Sequence, residues 1–306
     1  MAATQTGGTE GAAKGSGGRS ISMEIKMLLP VLLLLAVLSL FPFFYIIWMS
    51  LNTVSLISGI SFDFAGLTNW TRMFTDEVVG AAWARAALYF VATVGLEMVL
   101  GIAIALLIHE LVWGKNLVLS LILLPMFMAP VIVGLLGRFL TDSSYGLYAF
   151  VLRETGLFER DILGTGFSAL TAVILMDVWE WTPLVVLIVL AGLASVNQYV
   201  IEAAKVDGAN YVARLRHIVA PSIAGVVIVA LLVRSMDAIR YFDIITVTTN
   251  GGPGNTTKII PIRLYETAFR FFDLGYAAAI GLGMLVFSIL VANVFVQILE
   301  RRGLAK

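Results

Sequence analysis

Two groups of polar residues interrupt an otherwise apolar sequence, and both hold residue types suited to a neutral polar solute. Asp177, Trp179, Glu180 and Trp181 stand close together. Aromatic faces stack on sugar rings and carboxylates accept hydrogen bonds from hydroxyls, so this mixture suits a polyol. Tryptophan near a membrane surface is otherwise an interfacial anchor. The second group is Arg234, Asp237, Arg240, Tyr241 and Asp243. On a helix, Arg234 and Asp237 are i,i+3 and Asp237 and Tyr241 are i,i+4, so one face can hold all three. That face either neutralises charge within or between subunits or lines the outer half of a polar path. Glu97 is a further acid in an apolar run; it either pairs with another helix or snorkels to the surface.

The sequence also rules chemistry out. It contains no cysteine, which excludes disulfides, thiolate metal sites and cysteine nucleophiles. His109 and His217 are its two histidines and lie far apart, so no histidine metal centre is expected. G-x-x-x-x-G-K-[ST], H-E-x-x-H and G-x-S-x-G are all absent, so the chain offers no phosphate cradle, no catalytic residue and no metal site. A formal net charge of zero gives no field for nucleic acid.

Hydrophobic residues make up 59% of the 306 positions and charged residues 13%, more apolar surface than one soluble core of this length can hide. The bilayer is the natural solvent for the surplus. Crossing roughly 30 Å of hydrocarbon takes about 20 helical residues. Six runs qualify, at about 27–51, 84–108, 116–138, 168–192, 222–240 and 274–298. Barrels show short alternating segments instead, so the expected fold is all-α, a polytopic bundle of six transmembrane helices. The first run is too long for a cleaved signal peptide and ends in FPFFYIIWMSL, which reads as a retained span. Residues 1–26 read as a disordered cytoplasmic tail and 27–306 as one membrane domain. With the amino terminus inside, the internal segments hold ten Lys and Arg against six outside, favouring two cytoplasmic termini.

Between the fourth and fifth spans lies SVNQYVIEAAKVDGANYVARLRHIVAP, Ser195 to Pro221. It reads as two short helices about Gly208, with Tyr211, Leu215 and Ile218 forming an apolar stripe and Pro221 opening the next span. Periodicity alone leaves an ordinary interfacial helix equally open. Glu202-Ala203-Ala204, Asp207-Gly208-Ala209, Ile218 and Pro221 resemble the EAA loop of binding-protein-dependent ABC importer permeases, with Ala220 where the family usually has leucine. A second run, FDIITVTTNGGP from Phe242 to Pro253, followed by Asn255, Thr256 and Thr257, is similar to a segment of the carbohydrate-uptake permeases of maltose, oligosaccharide and glycerol phosphate type.

This resemblance covers roughly residues 30–300. It implies a type I ABC importer permease fold in a bacterial cytoplasmic (inner) membrane, with Glu202, Ala203, Ala204, Asp207, Gly208 and Ala209 coupling to an ATPase. The implied partners are a second homologous permease, two ATP-binding subunits that carry ATP and Mg, and an extracytoplasmic solute-binding protein. The implied cargo is a sugar, polyol or related solute. A self-contained secondary transporter would instead show an internal repeat and interrupted helices with ion-binding carboxylates. A membrane enzyme would need the nucleophile or metal set that is missing. Pairs such as Ala277 with Gly281 and Ala279 with Gly283 read as helix-packing positions, within the chain or against a second permease.

Overall fold

The computed structural model describes residues 23–55, 61–158 and 161–301. The chain divides into two units at Ile46/Ile47. Helix α1, Met23–Ser50, makes up the described part of the first and runs on into the second. The expected tail, residues 1–26, lies outside the described residues as far as residue 22.

The second unit opens with an antiparallel ribbon, β1 (Asn52–Ser55) and β2 (Ser61–Phe64), registered Asn52 to Phe64. Next come α2 (Thr68–Thr75), α3 (Glu77–Glu110), α4 (Lys115–Leu123), a 3₁₀ turn at Pro125–Phe127, α5 (Pro130–Thr141) and α6 (Leu147–Glu154). They are followed by α7 (Gly166–Ala194), α8 (Gln198–Val206), α9 (Tyr211–Arg214), a π segment at Leu215–Val219 and α10 (Ala220–Ala238). The chain ends in α11 (Asp243–Thr248), α12 (Ile260–Phe269) and α13 (Leu274–Arg301). The all-α bundle is therefore as expected.

Among the described residues, five helical stretches are long and apolar enough to cross a membrane: Met27–Ser50, Glu77–Glu110, Gly166–Ala194, Tyr211–Thr248 and Leu274–Arg301. The expected third span, 116–138, is not one helix. Pro125 and Pro130 lack the N–H that would continue the ladder, and Ala129 before Pro130 is extended, with φ −70° and ψ 136°. The run splits into α4, the turn and α5. The break is apolar and carries no carboxylate, unlike the ion sites of interrupted transporter helices.

Lipid and protein interior are both apolar, so the buried face of a spanning helix is marked by small and polar residues. On α3 the buried positions include Tyr89, Thr93, Glu97, Gly101 and Ala105, at i,i+4 spacing, while Val91, Val99 and Leu107 are exposed. Helix α3 lies along α7, and α10 packs against both. The first contact depends on Gly101: a Cβ there would stand 2.5 Å from Val185 Cγ1. Among the described residues four apolar clusters form the core, and the two largest lie along α3 and α7. One joins Val94, Met98, Ala105, Val185, Val189, Leu193 and Ile223; the other joins Tyr89, Val173, Val178, Tyr241, Ile244 and Ile245. The small residues of α13 pack inside the chain. A Cβ on Gly281 would meet Leu264 of α12, one on Gly283 would meet Met73 of α2, and Ala277 and Ala279 are buried.

Candidate functional site

Where the two largest core clusters meet, three spanning helices each contribute an ionisable side chain. Arg234 of α10 has no exposed surface. Its Nε and Nη2 donate to the two oxygens of Glu97 on α3, at 2.5 and 2.9 Å. Nη2 also reaches both oxygens of Asp177 on α7, at 2.8 and 2.7 Å. Nη1 donates one turn along α10 to Asp237, at 3.0 Å, with the Asp237 side chain 40% exposed. The planar fork of arginine suits such bidentate pairing, and a lysine would not reproduce it.

Tyrosines extend the network. Tyr89 of α3 donates its hydroxyl to Asp177 at 2.8 Å, and Tyr241 donates to Glu180 of α7 at 2.9 Å. The two phenol rings stack with centroids 6.0 Å apart. The guanidinium carbon lies 5.5 Å from the Trp181 ring and 5.8 Å from the Tyr241 ring. Glu180 Oε1 and Trp181 Nε1 are buried with no hydrogen-bond partner among the described residues.

Glu180, Trp181, Asp237 and Tyr241 thus gather around Arg234. Trp179 is half exposed, Arg240 turns back to the carbonyl of Met236 at 3.1 Å, and Asp243 is exposed; these three stand outside the network. The expected i,i+4 relation of Asp237 to Tyr241 is absent, because α10 ends at Ala238 and the backbone turns there, Arg240 N–H donating to Asp237 C=O. Of the sequence alternatives for Arg234, the structure shows charge pairing, across helices to Glu97 and Asp177 and along α10 to Asp237. Glu97 has no partner that the sequence names, and Tyr89 is not singled out by it. The small-or-polar i,i+4 stripe from Tyr89 to Ala105 is the signal that would have found both.

At one end of the bundle, α8 and α9 flank Gly208 as expected. Asn197 caps α8, its side chain accepting from Tyr199 N–H, and Asn210 caps α9 by accepting from Ala213 N–H. Gly208 closes α8 at φ +83°, in the left-handed region that a side chain disfavours. Arg214 Nη1 ties the turn by donating to the Ala209 carbonyl at 2.7 Å. Glu202, Ala203, Asp207 and Gly208 are exposed, Ala204 and Ala209 half-buried, and apolar Tyr199, Val206 and Val212 are exposed beside them. Pro221 does not break the chain into a separate helix. Its ring would collide with the carbonyl one turn back, and the helix widens into the π segment Leu215–Val219 just before it. Helix α9 therefore runs without interruption into α10.

The Phe242–Pro253 run forms α11 and then a tight turn through Asn250, Gly251 and Gly252. Thr257 closes it, its Oγ1 donating to Gly252 C=O at 2.8 Å and lying 2.7 Å from Thr249 Oγ1. Arg85 of α3 anchors the far side by donating to the Lys258 carbonyl at 2.9 Å. The segment is a turn pinned to the bundle.

Known proteins share this architecture. The chain is 32% identical over 282 residues to the trehalose/maltose transport system permease protein of Thermococcus litoralis, covering 92% of this chain and 94% of that one. It is 30% identical over 254 residues to the sn-glycerol-3-phosphate transport system permease protein of Yersinia pestis, covering 83% and 85%. In fold it is similar to a chain of a bacterial alginate ABC transporter, solved in complex with an alginate pentasaccharide-bound periplasmic protein. The TM-score there is 0.80 at 20% identity, over 93% of this chain and 96% of the other. Residues 97–303 match a family from Glu97 onward, and the chain belongs to that family, the binding-protein-dependent transport system inner membrane components.

Proposed function

We propose that this chain is the translocation subunit of an ATP-driven importer for a sugar, polyol or related solute. Family membership supports the transport role, and relatives named for trehalose, maltose and glycerol phosphate support the carbohydrate class. In this reading it works with a second homologous permease, two ATP-binding subunits that hold ATP and Mg, and an extracytoplasmic solute-binding protein. The domain 27–306 sits in the cytoplasmic (inner) membrane with both termini inside, as the basic-residue asymmetry favours, the broken run of α4 and α5 making the sixth crossing.

The observation that carries the coupling step is the exposed pair of helices about Gly208, the second continuous with a spanning helix. A docking surface built this way moves α10 when the ATPase moves. Residues 202–204 and 207–209 form its tip, within the loop 195–221. Glu180, Trp181, Asp237 and Tyr241 are the path candidates that lie together, and the unpartnered Glu180 Oε1 and Trp181 Nε1 offer an acceptor and a donor to a passing hydroxyl.

The test is solute-stimulated ATP hydrolysis in the reconstituted transporter. At φ +83° a β-branched side chain adds strain on the order of 1–3 kcal/mol, though open space surrounds the position. Gly208→Val should therefore tilt the tip without disturbing the spans. We expect normal insertion, sharply reduced transport and hydrolysis that no longer responds to the loaded binding protein, with Glu202→Ala weakening the response in the same sense. Full stimulation in both variants would overturn the coupling role.

A further inference from the structure

A cleft of about 290 Å³ opens behind the docking tip, where the end of α3 faces α8 and α9. Its polar wall carries Lys205 and Arg214, with His109, against Glu110; its apolar wall includes Leu106, Val196 and Ile201. Lys205 has no ion-pair partner among the described residues, and Arg214 donates one hydrogen bond, from Nη1, with its guanidinium 6.0 Å from the Tyr211 ring centroid. The cleft lies at the level where two spanning segments finish, α3 at Glu110 and α7 at Ala194. Just beyond α3, Val112 and Trp113 are each 88% exposed, an apolar and aromatic pair of the kind that sits at a membrane surface.

We propose that this cleft seats the headgroup of an anionic phospholipid. Its phosphate lies against Lys205 and Arg214, and the upper part of one acyl chain lies along Leu106, Val196 and Ile201. Two fixed cations against one carboxylate favour an anion over a zwitterion. Leu106 and Ile201 are half-buried beside the buried Val196, and their remaining apolar surface favours a lipid over an ion from solution, which would leave it uncovered. Basic pockets between helices at the inner leaflet are suited to such headgroups. Lys205 belongs to α8, so an occupied cleft ties the docking helix to the end of α3 and makes coupling sensitive to the lipid. The inference rests on the loop being cytoplasmic; its test reads lipid retention, which does not depend on sidedness, so the two fail separately.

The whole transporter, purified in mild detergent, is mixed with palmitoyl-oleoyl phosphatidylglycerol or the matching phosphatidylcholine, and retained lipid is counted by native mass spectrometry. Phosphatidylglycerol should be retained in preference. Lys205→Gln and Arg214→Gln should each lower that retention about fivefold, the loss expected for one surface cation, while Arg153→Gln, on α6 and outside the cleft, leaves it unchanged. Ile201→Trp keeps every charge and fills the cleft, so it should abolish the preference even if a charge variant assembles poorly. Equal retention of the two lipids, indifference to all three cleft variants, or displacement by inorganic phosphate alone would each overturn the proposal.

Discussion

Replacing Arg234 by methionine tests the buried network most directly. The change removes the guanidinium that pairs with Glu97 and Asp177, neither of which has any exposed surface, and supplies no other partner. Breaking a buried pair by deleting one member costs about 3–5 kcal/mol, because the remaining charge stays buried and unpaired. Two carboxylates are stranded here, so the upper end applies, and the midpoint of thermal unfolding should fall on the order of 10 °C. Glu97→Gln should cost less, about 1.5–3 kcal/mol, since Arg234 keeps Asp177 and Asp237. Asp237→Asn, at a side chain 40% exposed, should cost about 0–1 kcal/mol. The decisive variant is the triple Arg234→Met, Glu97→Gln, Asp177→Asn. It removes charge from both sides, and the new amide on α7 can still accept from the Tyr89 hydroxyl, so most of the loss should be recovered. The assay is tryptophan fluorescence against temperature in lipid nanodiscs, with membrane abundance as a second reading. A single Arg234→Met as stable as the wild type would refute the pairing argument, and so would a triple variant no better than the single.

Two other predictions concern topology and the start of α3. The chain has no native cysteine, so single cysteines at positions 10, 150 and 304 report cleanly to an impermeant thiol reagent on intact cells; labelling at 150 alone is expected, and labelling confined to 10 or 304 would invert the topology. Asp76 caps α3, accepting from Val78 N–H at 2.9 Å, Val79 N–H at 3.4 Å and the Tyr276 hydroxyl at 2.9 Å. Partial burial opposes its charge, but these donors win and hold the carboxyl below its usual range. A lowered folded value means the ionised cap stabilises at neutral pH and its contribution is lost as pH falls through that value. Asp76→Ala should therefore cost about 1 kcal/mol at pH 7, with the gap to wild type closing in acid; a gap independent of pH would contradict this.

The parts of the molecule that were legible in the sequence are those whose structure is local. Gly208 between two short helical patterns, with Asn197 and Asn210 capping the helices that form there, specifies the exposed helix pair from within a few residues. The GGP turn is equally local, held by its own threonines. The third span was less legible because the hydropathy window averages over Pro125 and Pro130, and an apolar break has the same mean as an apolar helix. Pro221 does open α10, in its first turn, but the continuity with α9 is hidden. The proline reads as a helix start, and the π segment that lets the helix continue through it leaves no mark in composition. Tyr241 leaves the face of Asp237 because α10 ends at Ala238, two residues before the apolar run does.

The network itself is only faintly legible, through the small-or-polar stripe of α3, for a different reason. In a soluble helix the apolar stripe fixes the buried face, but α3 is apolar all round and its neighbours in lipid are as apolar as its neighbours in protein. Which residues of α3, α7 and α10 meet is then decided by the few that lipid will not accept. Glu97, Asp177 and Arg234 can lie in hydrocarbon together but not apart, so only rotations of the three helices that bring them within hydrogen-bonding distance survive. Gly101, one turn from Glu97, permits the close approach to Val185 that this rotation requires. The ion pairs therefore contribute register more than net stability, since a well-packed apolar replacement of a buried pair is often neutral or better. On that argument the triple variant stays folded but loses the fixed crossing of α3, α7 and α10, and transport falls while thermal stability recovers. Recovery of both together would mean that packing at Gly101 alone sets the register.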